Sequence, residues 1–190
     1  MAKVIDNLVT EGLSGKLGRQ LVFRKGKGGM TILSARPVFS PDRVFSHAQR
    51  AQQTAFQQAT AYAKAAKNQP LYLSLTRGTA LNAYNLAIAD WFGKPEVLAI
   101  DISGWSGEIG QIIRIKAQDN VKVTGVRVMI RANNTSPTAL EEGDAVQSEG
   151  DGLLWTYTTR TLMPITPGTC LDAFAYDLPG NIGGNSIELS

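Results

Sequence analysis

The chain predicts an α+β fold in two parts: a β-hairpin with two helices, then an antiparallel β-sandwich. Three observations carry this. A glycine-bearing turn, KGKGG, separates two short apolar runs near the N-terminus. Apolar residues then recur at helical spacing from Ser46 to Trp91. After Pro95 the apolar period drops from about 3.6 residues to about 2. The boundary is expected near Lys94–Glu96, dividing the chain into 1–94 and 95–190.

Residues 1–18 are punctuated by glycine and read as an extended arm. Gln20–Phe23 and Met30–Ala35 read as strands, rich in Val, Ile, Leu and Phe. The turn glycines between them are free to take positive φ. Two strands alone are marginal in water, so this hairpin must lie on further protein, its own or a neighbour's. PVFSPD breaks the pattern, and a helix follows from Ser46. Ser46 and Gln49 have the spacing of a capping box. Ala48, Ala51, Ala55, Phe56, Ala59 and Tyr62 form one face, and Gln52, Gln53, Gln57 and Gln58 the other. The helix should stop near Asn68, ahead of Pro70. LYLSLTRG reads equally as a helical turn or a strand. A second helix fits Thr79–Trp91, with Leu81, Tyr84, Leu86, Ile88 and Trp91 apolar, and Gly93 and Pro95 to end it.

Six strands are expected in VLAIDISGW, IIRIKAQD, VTGVRVMIRA, LLWTYTTR, CLDAFAYD and SIELS, and a less regular one around DAVQS. Turn-rich pieces separate them: NNTSP, EEGD, EGDG, TPGT and LPGN. Short strands with such regular turns predict a sandwich.

Of the 190 residues, 43% are hydrophobic, enough for a core, and 18% are charged. The net charge is +3, unevenly placed. Residues 1–94 hold 13 Lys/Arg against 4 Asp/Glu, and residues 95–190 hold 6 against 12. A chain with two such ends can bind a polyanion with one of them, or stack head to tail with its own copies. The single cysteine, Cys170, excludes an internal disulfide. The first residues lack a basic stretch followed by an apolar run, and nothing approaches the ~18 apolar residues of a membrane span. The expectation is a product made in the cytoplasm without a signal peptide, which a virion or phage-like particle can carry elsewhere.

Few residues look like chemistry. GLSGKLG offers only G-x-x-G-K followed by Leu17, so the Walker hydroxyl is missing, and a strand follows where a helix is needed. His47 is the sole histidine and has no nucleophile context around it. One His with one Cys cannot build a standard zinc centre. Asp101, Asp119, Asp172 and Asp177 fall near strand ends, where bonding to turn amides is favoured over calcium binding. Trp91, Trp105 and Trp155 read as core or domain-junction residues, Trp155 from its mid-strand place. For Trp105, in a Gly-rich turn, a minor alternative is an exposed anchor for an interface or a sugar. No catalytic, cofactor-binding or metal-binding residues are assigned.

The basic hairpin is the remaining candidate. Arg24, Lys25 and Lys27 surround the turn, with Arg19 and Arg36 near its base. Three readings stay open: contact with nucleic-acid phosphates, pairing with a neighbouring copy, or a solvated turn. The counter-surface on a neighbour would be Glu141, Glu142, Asp144, Glu149 and Asp151.

Three pieces of the second half resemble bacterial immunoglobulin-like modules: IIRIKAQDNVKVTGVRVMI, LEEGDAVQSEGDGLLWTYT and LDAFAYDLPGNIGGNSIEL. The resemblance covers roughly residues 96–190 and lacks the paired cysteines of antibody domains. It implies an immunoglobulin-like sandwich and little about function, since such modules serve as spacers, adhesins and decorations. GKLGRQLVFRKGKGGMTILSARP and the AQRAQQTAF that follows are similar to uncharacterised bacterial and phage-associated proteins. Together these point to a non-enzymatic structural subunit. It would bind its own copies or other particle proteins through the N-terminal hairpin or arm. The alternative is a protein that binds DNA or RNA with its basic half.

Overall fold

The structure, a computed structural model, describes residues 2–4, 10, 12–25, 30–40, 42–79, 81–150 and 152–189. The chain divides into two compact units, Met1–Arg50 and Ala51–Ser190. The change of period near Pro95 marks where helices give way to strands within the second unit. It is not the division between the units.

The first unit is a four-stranded sheet. The expected hairpin forms from β3 (Leu21–Lys25) and β4 (Thr31–Ala35), which pair antiparallel with Phe23 opposite Leu33. The arm is not free. Its β1 (Ala2–Val4) pairs with β4, and its β2 (Gly15–Leu17) pairs with β3, so the order is β1-β4-β3-β2. A two-stranded hairpin cannot satisfy its outer backbone groups, and the arm supplies a strand on each side. Gly15, at φ +104°, opens β2 in a conformation that other residues rarely adopt.

The second unit holds helices and a seven-stranded β structure, and the first helix begins four residues before it, at His47. α1 (His47–Ala66) starts at the expected capping box: Gln49 N–H donates to Ser46 Oγ at 3.2 Å, and Ser46 N–H donates to Gln49 Oε1 at 3.0 Å. LYLSLTRG resolves as helix. Pro70 opens α2 (Pro70–Thr76), because its fixed φ suits the first helical turn. α3 (Ala83–Phe92) begins later than the spacing predicts. Asn82 is the reason: its side-chain oxygen accepts from Tyr84 N–H at 2.8 Å and caps the helix there. Leu81 is left outside and exposed.

The strands are β5 (Glu96–Asp101), β6 (Ile112–Gln118), β7 (Gly125–Arg131), β8 (Ala139–Gln147), β9 (Leu154–Thr158), β10 (Cys170–Tyr176) and β11 (Ile182–Glu188). Every pairing is antiparallel, in the order β11-β10-β7-β8-β9-β6-β5. β8 joins two layers: residues up to Ala145 pair with β7, and Val146 and Gln147 pair with β9. The result is a sandwich close to a closed barrel. Strict alternation on β6 and β7 turns Ile113, Ile115, Ala117, Val126, Val128 and Ile130 inward. They meet Trp155, Tyr157, Leu171, Ala173 and Ala175 in one core. Burying a large side chain of this kind is worth roughly 1.5–3 kcal/mol.

The helices form a second cluster from Ala63, Ala66, Tyr72 and Ala87, against which Val121 and Leu178 of the sandwich turns also pack. Two side chains from those turns finish α3. Asn120 Nδ2 donates to Ala89 O at 3.1 Å, and Asn181 Nδ2 donates to Trp91 O at 3.2 Å and Gly93 O at 2.8 Å. Trp91 O and Gly93 O lie past the last helical bond and need an outside donor, whereas Ala89 O also accepts from Gly93 N–H at 2.9 Å.

The outer strands β5 and β11 meet without a ladder. Asn185 Nδ2 donates to Val97 O at 3.2 Å. A Cβ on Gly183 would lie 1.7 Å from Pro95 O, which is backbone and cannot move aside cheaply. IGGNSIE is a poor strand by propensity, and this close approach explains its glycine. We expect Gly183→Ala to destabilise the protein by about 1–3 kcal/mol in urea unfolding. Gly125→Ala, where nothing lies within 4 Å, should change stability by less than about 0.5 kcal/mol.

Candidate functional site

The sheet of the first unit holds the predicted basic residues, and it separates them. Arg24 and Lys25 are exposed at one end of β3 and, as neighbours on a strand, point to opposite faces. Arg19 and Arg36 are exposed at the other end, where Arg36 N–H donates to Gln20 O at 2.7 Å. Lys27 lies outside the described residues. Among the described residues, every ion pair falls in the second unit, so Arg19, Arg24, Lys25 and Arg36 have no acidic partner there.

The same unit has little core. Among its described residues only Phe23 and Thr31 are buried. Leu21, Val22, Ile32 and Leu33 are half-buried. Every described residue of the edge strand β2 is exposed, with Leu17 at 58%. The connection to α1 exposes Val38 at 91%, Phe39 at 68% and Val44 at 81%. Arg43 stacks on Phe39 and Phe45, its guanidinium 5.5 Å and 4.7 Å from the ring centroids. This pairing of aromatic rings with a cation is invisible to helix or strand periodicity. The signal that could have found it is the doubled Val-Phe-Ser around Pro41–Arg43.

The acidic counter-surface is smaller than its sequence implies. Glu142 and Asp144 are exposed on β8, and both pair with Arg127, at 2.8 Å and 3.6 Å. Glu149 is exposed in the turn after β8, and Asp151 lies outside the described residues. Glu141 is not on that surface. EEGD, expected as a turn, is the middle of β8, and the strand's alternation turns Glu141 and Gly143 inward. Glu141 accepts from the Tyr157 hydroxyl and Arg160 N–H, both at 2.7 Å, and from Thr161 N–H at 3.0 Å. Burial, then the bond to Glu141, pushes the Tyr157 hydroxyl well above its ordinary range. Gly143 leaves room for the Tyr157 ring, since a Cβ there would sit 2.9 Å from it.

The remaining candidates have structural places. Trp105 is buried in the sandwich core, which agrees with its core reading and removes the alternative of an exposed anchor for a sugar or an interface. Trp155 is core as expected. Asp101, Asp119 and Asp177 accept turn amides from Ser103, from Val121 and Lys122, and from Gly180 and Asn181. Asp172 lies mid-strand and pairs with Arg131 at 2.7 Å. Cys170 is buried on β10, and desolvation raises its thiol. His47 is exposed in the first turn of α1. Among the described residues, no group of three His, Cys, Asp or Glu is placed to hold a metal ion. No described helix is long and apolar enough to cross a membrane. Comparison with family profiles, curated proteins and solved structures gave no match.

The inward carboxylate of Glu141 yields a direct test. Glu141→Gln loses an acceptor oxygen opposite buried donors. We expect a loss of about 2–3 kcal/mol in chemical denaturation, with an unchanged denaturant slope.

Proposed function

We propose that the protein is a non-enzymatic structural subunit. It self-assembles, or docks on a particle such as a phage-like virion, through the sheet of its first unit. The observation that carries this reading is how little of that sheet is buried among its described residues. Of these, only Phe23 and Thr31 are buried, while Leu17, Val38, Phe39 and Val44 are exposed to water. Small units stabilise themselves poorly, and clustered exposed apolar groups favour a protein surface as the partner. β2 offers an outer edge for strand addition. Charge favours a copy of the same chain: residues 1–50 hold 9 Lys/Arg against 3 Asp/Glu, and residues 51–190 hold 10 against 13.

The sandwich would be an immunoglobulin-like module, facing outward as decoration or carrying stacking contacts. What supports this is the strand order. β5, β6 and β9 follow the A-B-E succession of such folds, β7, β10 and β11 follow C-F-G, and β8 lies between the two layers.

The alternative is a polyanion binder, favoured by Arg19, Arg24, Lys25 and Arg36, which have no acidic partner among the described residues. Negative-stain electron microscopy of nuclease-treated protein separates the two. Rings, tubes or filaments without nucleic acid support self-assembly. Small single particles that bind DNA with a steep salt dependence would move the reading to the polyanion binder. Lys25→Glu with Lys27→Glu should lower particle mass at a given concentration. Unchanged mass would remove the hairpin from the interface.

A further inference from the structure

Asp90 of α3 is fully buried. Its Oδ2 accepts a hydrogen bond from the Tyr72 hydroxyl of α2. That hydroxyl lies 2.7 Å from the Tyr62 hydroxyl of α1. The other oxygen, Oδ1, is buried and receives no hydrogen bond from a ready donor. Asp119, in the turn after β6, repeats this arrangement. Its Oδ2 accepts from Val121 N–H and Lys122 N–H at 2.9 Å each, while its Oδ1 is buried and lacks a donor. Asn120 Nδ2 donates to Ala89 O at 3.1 Å, which sets the Asp119 turn against α3 next to Asp90, and Asp119 is among the groups that hold the Asp90 carboxyl above its ordinary range.

The third acid near Asp90 is Asp177, in the turn after β10. Its oxygens are already served by Gly180 N–H, Asn181 N–H and Asn181 Nδ2. The titratable and charged groups facing Asp90 are therefore Tyr62, Tyr72, Asp119 and Asp177, with no cation among them. Two buried carboxylate oxygens in contact repel, and one proton between them satisfies both.

We propose that Asp90 keeps its proton in the folded protein and hydrogen-bonds Asp119 with it, which makes the contact between α3 and the β6–β7 turn a pH-dependent latch. Asp90 holds the proton and donates from Oδ1 to Oδ1 of Asp119. Deprotonation releases that proton to solvent and leaves two adjacent buried charges. Burial pushes Asp90 up to about 6 against the Tyr72 bond, and the charges of Asp119 and Asp177 add to the rise. A carboxyl raised in the folded state is held more tightly there than in the unfolded chain, whose value is about 3.9. The latch is at full strength below about pH 4 and is lost as pH rises through about 6. Asp172 has the opposite sign. Burial alone would raise its carboxyl, but Arg131 holds it below the ordinary range, so its contribution is lost as pH falls.

Asp90→Asn tests this. The amide keeps a donor toward Asp119 and an acceptor for Tyr72 at every pH. Thermal unfolding of wild type and variant should differ little at pH 4.5. At pH 7.5 the variant should melt higher, by about 5 °C for a chain of this size. Asp119→Asn should act the same way, because its amide faces Asp90 Oδ1. The infrared band of a protonated carboxyl should be present in wild type at pH 5, lost by pH 8, and absent from the wild-type-like background of Asp90→Asn. Parallel melting profiles for wild type and both variants would overturn the latch. So would a rise in wild-type melting temperature at pH 7.5 on adding calcium that Asp90→Asn lacks, since a cation would then bridge the pair.

Discussion

The end of α3 is where helices and sandwich become one unit. Asp119 and Asp177 each fold a turn by accepting backbone amides, and each turn presents an asparagine to the helix. Asn120 and Asn181 then satisfy carbonyls from Ala89 to Gly93. A Cβ on Gly93 would stand 2.7 Å from the Asn120 amide and would push that side chain aside. Once α3 is fixed, Asp90 is buried, Tyr72 must turn its hydroxyl to it, and Tyr62 must follow. That chain of hydroxyls reaches α1 at the turns where Ala59, Ala63 and Ala66 are buried. An unmade bond at any of these buried groups would cost about 1–3 kcal/mol, so the contacts hold as a set.

Inside the sandwich a different polar group sets the geometry. β8 has to pass from one layer to the other, and its middle carries Glu-Glu-Gly-Asp. Read for composition, those residues make a turn. Read for alternation, Glu141 and Gly143 share a face with Ala145, and all three are buried. Tyr157 decides between these readings, since it fills the space over Gly143 and donates to Glu141. The partner lies 16 residues away on another strand, beyond any local pattern.

Legibility in the sequence followed the range of the interactions. The capping box of α1, the β3–β4 hairpin and the alternating β6 and β7 depend on neighbours within a few residues, and all were readable. The start of α3 was misplaced because Asn82 has a stronger claim as a cap than Thr79. The arm's pairing was missed because three-residue strands carry almost no period. Trp105 is ambiguous in sequence because glycines flank it, and its turn folds back into the core, in line with the core reading. The basic residues were legible as a set, but which end of the sheet holds each one depends on the pairing of β2, β3 and β4.

The two units answer the same problem in opposite ways. The second has a continuous apolar core, so its polar groups can be spent on joints: Asn120, Asn181, Glu141 and the Asp90–Asp119 pair. Among the described residues of the first, Phe23 and Thr31 alone are buried, its strand apolar residues are half-buried, and Leu17, Val38, Phe39 and Val44 are exposed. Sheet hydrogen bonds alone contribute little net stability, because the unfolded chain makes equivalent bonds to water. A sheet of this kind gains most from an added surface that covers Leu17, Phe39 and their neighbours.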